Sequence, residues 1–283
     1  MAVSDLPSVA RRLEAKVDRL RDILCGMERV LVAFSGGTDS AFILKIAAEV
    51  LGRNVYAVIA SSEIHPAAET AAAERLARRF KVRFEIINVS ILQNPRFVKN
   101  TPRRCYYCKK ELWRAMRKIA EREGMAAIVD GQNLDDEGDF RPGAAASREM
   151  GIRSPLKESG LGKTEIRAYS RKLGLPTWNK PSQACLSTRI PYGVPIDRPT
   201  LARIGAAEED LRRLGFGQLR VRDHGSIARI EFDPADFPRV FKEETRRRII
   251  ARLRKRGYLY VAIDLAGYRT GSLNEGLSGR CRK

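Results

Sequence analysis

A chain of 283 residues with 43% hydrophobic side chains is long enough for two ordinary cores and too apolar to be a disordered tail. Its 53 Lys and Arg outnumber 34 Asp and Glu, and the resulting charge of +19 favours polyanionic partners such as nucleotides, phosphates or RNA. There is no run of about 18 apolar residues and no signal-peptide pattern, so a soluble, cytoplasmic protein is expected, with no membrane partner.

Val9, Leu13, Val17, Leu20 and Leu24 recur at helical spacing, and Gly26 stops that helix. "RVLVAF" (29–34) is a short apolar run that reads as a buried strand. "SGGTDS" (35–40) follows, and "AFILKIAAEVLG" continues as an apolar helix. "NVYAVIAS" (54–61) predicts a second strand, 66–80 a helix, "VRFEIINV" (82–89) a third strand, 106–123 a helix and "AAIVDG" (126–131) a fourth strand. This alternation predicts an α/β fold, a parallel sheet with helices on both faces. After "GQNLDDEGDFRPG" the pattern loosens, and "GKTEIRAYSRKLGLP" (162–176) predicts an amphipathic helix ended by Gly174 and Pro176. "NKPSQACLSTRIPYG" (179–193) is rich in turn-formers and holds Cys185. Residues 200–214 read as a helix, "QLRVRDHG" and "IARIEFD" as a hairpin, 238–256 as one basic helix and "YLYVAID" (258–264) as a last strand. The expected division is a parallel-sheet domain over 1–195 and a smaller α+β domain over 196–283. Arg246, Arg247 and Arg248 are left as solvated surface.

The loop at 35–40 is the most specific signal. Gly36 and Gly37 let the backbone turn tightly between strand and helix, so that backbone N–H groups and the helix N-terminus face an anion. Ser35 and Ser40 add hydroxyls, and Asp39 is placed for a leaving pyrophosphate or magnesium. The chain lacks the GxxxxGK[ST] pattern at this loop, so it is not one that grips β- and γ-phosphates with its own lysine. The motif resembles the loop of the ATP pyrophosphatases, the PP-loop superfamily with an adenine nucleotide alpha hydrolase-like fold. That resemblance implies ATP and Mg2+, adenine binding near Ser61, and a contribution of "DGQNLDD", hence of Asn133 and Asp136.

Five cysteines without a secretion pattern argue against a disulfide framework. "RCYYCKKELW" puts Cys105 and Cys108 at a helix start, on one face, where Arg103, Arg104, Lys109 and the helix N-terminus favour thiolates. A four-cysteine zinc site lacks a partner pair. The CxxC with Cys185 makes three thiolates, which suit a [4Fe-4S] cluster with one open iron; zinc with three thiolates and His65 or His224 is the alternative. Cys25 and Cys281 have no assigned role.

"LGKTEIRAYSRKLGLPTWNKPSQACLSTRIPYG", with "RCYYCKKEL", "DGQNLDDEGDFRPG", "SPL" and "DLAGYRTGSLN", resembles the LarE family of ATP-dependent sulfur transferases over about residues 10–276. That resemblance implies adenylylation of pyridinium-3,5-biscarboxylic acid mononucleotide and its conversion to thiocarboxylates. The product leads to the nickel-pincer nucleotide cofactor of lactate racemase. It implies Cys185 as the sulfur-donating position, either sacrificed to dehydroalanine or holding a cluster with Cys105 and Cys108; the three cysteines favour the cluster. The partner that reloads the sulfur is not identified. Arg189, Arg220, Arg222 and Arg269, with Lys109, form the expected set for the substrate's phosphate and carboxylates. Homo-oligomerisation as a hexamer is implied by the family alone. A tRNA thiolase sharing loop and cluster is the competing enzyme reading, although few aromatics in the C-terminal part argue against a nucleic-acid partner. A non-catalytic nucleotide-binding module is the third.

Overall fold

The computed structural model describes residues 6–138, 142–181 and 183–275. In chain order the elements are α1 (Leu6–Cys25), β1 (Val30–Ala33), α2 (Thr38–Leu51), β2 (Val55–Ser61), α3 (Ala67–Arg79), β3 (Arg83–Asn88), α4 (Pro95–Val98), α5 (Arg104–Arg122) and β4 (Ala127–Val129). There follow α6 (Pro142–Glu149), α7 (Pro155–Glu158), α8 (Lys163–Lys172), α9 (Arg198–Arg213), β5 (Leu219–His224), β6 (Ile227–Phe232), α10 (Phe237–Val240), α11 (Glu243–Lys255) and β7 (Tyr260–Ile263). Among the described residues no helix is long and apolar enough to cross a membrane.

The chain forms two compact units: Met1–Ser62 with Ala67–Val89 and Cys105–Gln183, and Glu63–Pro66 with Ser90–Arg104 and Ala184–Lys283. In the first, four parallel strands run in the order β3-β2-β1-β4. Successive side chains of β1 point to opposite faces, and both faces are covered. Val30 and Val32 join Leu20, Leu24, Phe42 and Ile46 on one side. Leu31 joins Tyr56, Val58, Trp113 and Met116 on the other. A strand buried twice reads as an unbroken apolar run, which is why "RVLVAF" shows no alternation. Because the strands are parallel, the carboxyl ends of β1, β2 and β4 share one edge of the sheet, where ligands of such folds gather.

The second unit holds a three-stranded sheet, β5-β6-β7. β5 and β6 are antiparallel around a turn in which Gly225 takes φ +71°, whereas β7 lies parallel to β6. A parallel neighbour needs a crossover, and α10 and α11 supply it. Leu211, Phe216, Phe232, Ile249, Leu253 and Tyr258 form the core of this unit. The single basic helix expected over 238–256 is two helices. Lys242 between them is extended (φ −64°, ψ 136°), and Glu243 and Glu244 open the second one. Periodicity carries straight across such a one-residue break.

The strip after β3 is bound into the second unit by Val98 O, which accepts from Ile196 N at 3.0 Å, and above all by Asn100. Asn100, fully buried at φ +51°, donates from Nδ2 to Pro191 O and Val194 O, both at 2.8 Å, and its carbonyl accepts from Gly193 N at 3.1 Å.

Candidate functional site

In the first unit the loop at 35–40 joins β1 to α2 at the carboxyl edge of the sheet. Gly36 has φ +70°, and a Cβ there would lie 2.9 Å from Ala73 Cβ and 3.0 Å from Ala73 Cα. Both the left-handed backbone and the close packing against α3 therefore demand glycine. Ser35 Oγ and Ser40 Oγ lie 3.0 Å apart, and Ser40 Oγ donates to Gly37 O at 3.2 Å. Thr38 Oγ1 donates to Thr177 O at 2.8 Å, tying the start of α2 to the segment after α8.

Asp39 sits in the first turn of α2 with Oδ2 2.5 Å from Lys163 Nζ, while its Oδ1 is buried without a hydrogen-bond partner. Burial raises its carboxyl above the ordinary aspartate range; Lys163 opposes the rise and Asp136 adds to it. A buried carboxylate oxygen with an open lone pair and a second carboxylate close by is a donor set that fits Mg2+.

The "DGQNLDD" segment enters by its backbone. A Cβ on Gly131 would come within 3.1 Å of Ser40 N, so only glycine lets the end of β4 approach the start of α2 this closely. Asp130 is committed to Gln132, whose Nε2 donates to it at 2.6 Å, and to Ser154 Oγ at 2.8 Å. Asn133 accepts from Asp135 N and its own N–H donates to Asp136, both at 3.0 Å. Ser61 closes β2 at the same edge and accepts from Val89 N at 2.9 Å.

Three cations at this loop went unread in the sequence. Lys163 opens α8, and its backbone N–H also donates to Asp135 Oδ2 at 2.7 Å. Arg167, one turn later, acts on the charge of Asp39 and has a buried Nε with no partner. Lys180 Nζ donates to Gly36 O at 3.0 Å and to Glu69 Oε2 at 2.6 Å. The only sequence signal for them is their presence in the long 161–193 motif.

Cys105 and Cys108 lie in the first two turns of α5, both half-buried. Lys109 Nζ stacks over Trp113 at 4.6 Å from the ring centre, and Gly143 of α6 packs so closely that a Cβ would meet Lys109 Cγ at 3.1 Å.

In the second unit Cys185 is half-buried, with Sγ 3.0 Å from Ser187 Oγ, at the start of a turn over Leu186–Arg189. Arg189 is 1% exposed and commits its guanidinium to protein. Nε and Nη2 donate to Glu208 at 2.7 and 3.0 Å; Nη1 donates to Ala184 O, Cys185 O and Thr188 Oγ1. Burial alone would raise the Glu208 carboxyl, but Arg189, Arg212 and Arg220 outweigh it and hold it below the usual range. Arg222 is taken up similarly by Glu231 (2.8 and 2.7 Å), Thr188 O (2.6 Å) and Ser272 Oγ (2.6 Å). Arg220 is different: buried, stacked 5.0 Å from the Tyr268 ring, and pushed down to about 10 by burial first and by Arg189 next. Arg269 pairs with Glu275 at 3.0 Å and Asp264 at 3.6 Å. Of the expected anion-binding arginines, Arg189 and Arg222 thus brace the Cys185 turn through fully buried glutamates. Among the described residues no group of three or more His, Cys, Asp or Glu is placed to hold a metal ion; of the cysteines expected to hold a cluster, Cys105 and Cys108 belong to the first unit and Cys185 to the second.

Residues 8–139 match the family model described as a PP-loop domain. The chain is 40% identical, over 96% of its length and 97% of the relative's, to pyridinium-3,5-bisthiocarboxylic acid mononucleotide synthase of Lactiplantibacillus plantarum. It is also 40% identical to an uncharacterized protein of Synechocystis over 94% of this chain and 99% of that one. An uncharacterized protein of Methanocaldococcus jannaschii is 30% identical over 86% and 92%.

Proposed function

The chain belongs to the LarE family of ATP-dependent sulfur transferases within the PP-loop superfamily, and from that premise we propose that it makes the thiocarboxylates of pyridinium-3,5-bisthiocarboxylic acid mononucleotide. The observation that carries the reading is a nucleotide loop whose Gly36 is sterically required, in a chain that matches a synthase of that product over 96% of its length.

A carboxylate is a poor electrophile at neutral pH. Its oxygen attacks the α-phosphorus of ATP; the bond to the bridging oxygen breaks and pyrophosphate leaves. The backbone N–H groups of the loop at 35–40 and the start of α2 hold the departing charge. Asp39 and Asp136 would hold Mg2+, which offsets the phosphate charge when bound. The acyl-adenylate then carries AMP, a good leaving group, and the Cys185 thiolate displaces it to give a thioester. Removal of the Cys185 Cα proton and cleavage of its Cβ–Sγ bond release the thiocarboxylate and leave dehydroalanine. Arg220, buried and stacked on the Tyr268 ring, is the proposed contact for the substrate phosphate, together with Arg269.

The sulfur source has a second form. Cys105, Cys108 and Cys185 suggest a [4Fe-4S] cluster by their number and by the CxxC spacing at a helix start; when bound, such a cluster would supply sulfide from its open iron and spare Cys185. The wider assignment, supply of the nickel-pincer nucleotide of lactate racemase, follows the family.

Pyrophosphate release is the test. Release that requires pyridinium-3,5-biscarboxylic acid mononucleotide is expected, and release supported by tRNA instead would reassign the enzyme as a thiolase. Iron and acid-labile sulfide on anaerobic protein separate the sulfur sources: about four irons per chain, lost in Cys105→Ala, select the cluster. No iron, with a mass loss of one hydrogen sulfide at Cys185 after turnover, selects the sacrificial route.

A further inference from the structure

The loop at 35–40 contains two glycines, two serines, a threonine and an aspartate but no cation. A bound triphosphate brings about four negative charges to a place that already holds Asp39, Asp136 and Glu69. Backbone N–H groups offset only part of that. The fold delivers the missing charge from one later segment. Lys163 reaches Asp39 from 124 residues away, and Lys180 reaches Gly36 O from 144 residues away. Arg167 stands between them: it is four residues from Lys163, on the same face of α8, and its Nη2 donates to Lys180 O at 3.4 Å.

Each of the three has an arrangement that ligand binding can change. The Lys163 ammonium shares Asp39 with nothing but Mg2+ to compete for it, and once Mg2+ takes the carboxylate the ammonium is released beside the phosphates. Lys180 caps the carbonyl of Gly36 in the loop and can turn to an arriving phosphate. Arg167 has a guanidinium Nε buried and unpartnered, which costs free energy until an acceptor arrives.

We propose that Lys163, Arg167 and Lys180 form the cationic wall of the ATP phosphate site, Lys163 and Arg167 contacting the β- and γ-phosphates while Lys180 neutralises the loop carbonyl and Glu69. The wall does for this loop what the built-in lysine does for a Walker loop, from a helix rather than from the loop itself. The inference rests on ATP as the nucleotide in the proposed reaction but not on the identity of the carboxylate.

Calorimetric titration of the full chain with Mg2+ and α,β-methylene-ATP, inorganic pyrophosphate or AMP tests it. Lys163→Gln and Arg167→Gln are each expected to weaken the ATP analogue and pyrophosphate by about tenfold or more. AMP affinity stays unchanged, which also reports that the variants are folded, and Lys163→Arg recovers most of the loss. Equal analogue affinity in wild type and both variants overturns the proposal, as does a loss that extends equally to AMP. Wild type that binds the analogue but releases no pyrophosphate with the pyridinium dicarboxylate overturns the substrate assignment and leaves the wall standing.

Discussion

The nucleotide loop of the first unit and the arginine network of the second treat charge in opposite ways. Around the loop, pairs are left partly open to water: the side chains of Lys163 and Asp39 are 32% and 22% exposed, and Asp39 keeps an oxygen with no partner. In the second unit, Arg189 and Glu208 are 1% and 0% exposed, Arg222 and Glu231 are 7% and 0%, and both arginines are held bidentately. Charges left half-satisfied gain when an anion and a cation arrive together; charges fully satisfied gain nothing from a ligand and lock the backbone they hold. The first arrangement suits the ATP site proposed above; the second holds the turn that carries Cys185.

The contrast is tested most severely by Glu208→Ala. It strands Arg189 and removes the acceptor of Val221 N, so a loss of about 3–5 kcal/mol is expected in urea unfolding. A loss below about 1 kcal/mol would mean that water reaches the pair and that it is no brace. Acid should separate the two regions next. Arg256 first holds Asp210 below its usual range, and arginines hold Glu208 there against burial, so their stabilisation is present above the unfolded-state values and lost as pH falls through the folded ones. Asp39 is shifted upward, so protonation relieves it over the same descent. Pepsin digestion below about pH 4.5, the ordinary glutamate value, should therefore cut first within 198–263; first cuts around 30–60 would reverse the comparison.

Gly36→Ala sits lower. The left-handed backbone costs about 1–2 kcal/mol and the contact with Ala73 adds to it, so α3 shifts and ATP-analogue affinity falls more than stability does. Unchanged affinity would show that the loop does not form the site. Arg247→Ala is the smallest. Its pairing with Glu243 at 2.5 Å is exposed and one helical turn long, and a change within about 0.5 kcal/mol is expected by thermal unfolding. A larger effect would give the basic stretch of α11 a structural role that solvated charges lack.

The β/α alternation and the loop at 35–40 were legible because their signals are local: Gly36 is dictated by one positive φ, and the apolar runs by strands covered on both faces. The break at Lys242 was not, since one extended residue leaves the helical period of its neighbours intact. Nor was the membership of 90–104 in the second unit, which depends on hydrogen bonds from Asn100 to carbonyls about ninety residues away. The site shows the same limit. Ser35, Gly36, Gly37, Asp39 and Ser40 are proposed from one hexapeptide, whereas the pairing of Arg189 with Glu208 and of Arg222 with Glu231 shows only in the fold.

Backbone conformation and burial pattern are properties of a few neighbouring residues, so the amino-acid order alone settled the parallel sheet and the tight glycine turn after its first strand. Charge pairing is a property of distances of a few ångströms between groups that lie anywhere from 9 to 144 positions apart in the chain. Only the folded chain could bring Lys163, Arg167 and Lys180 to a loop with no cation of its own, and only there do Arg189 and Arg222 meet buried glutamates.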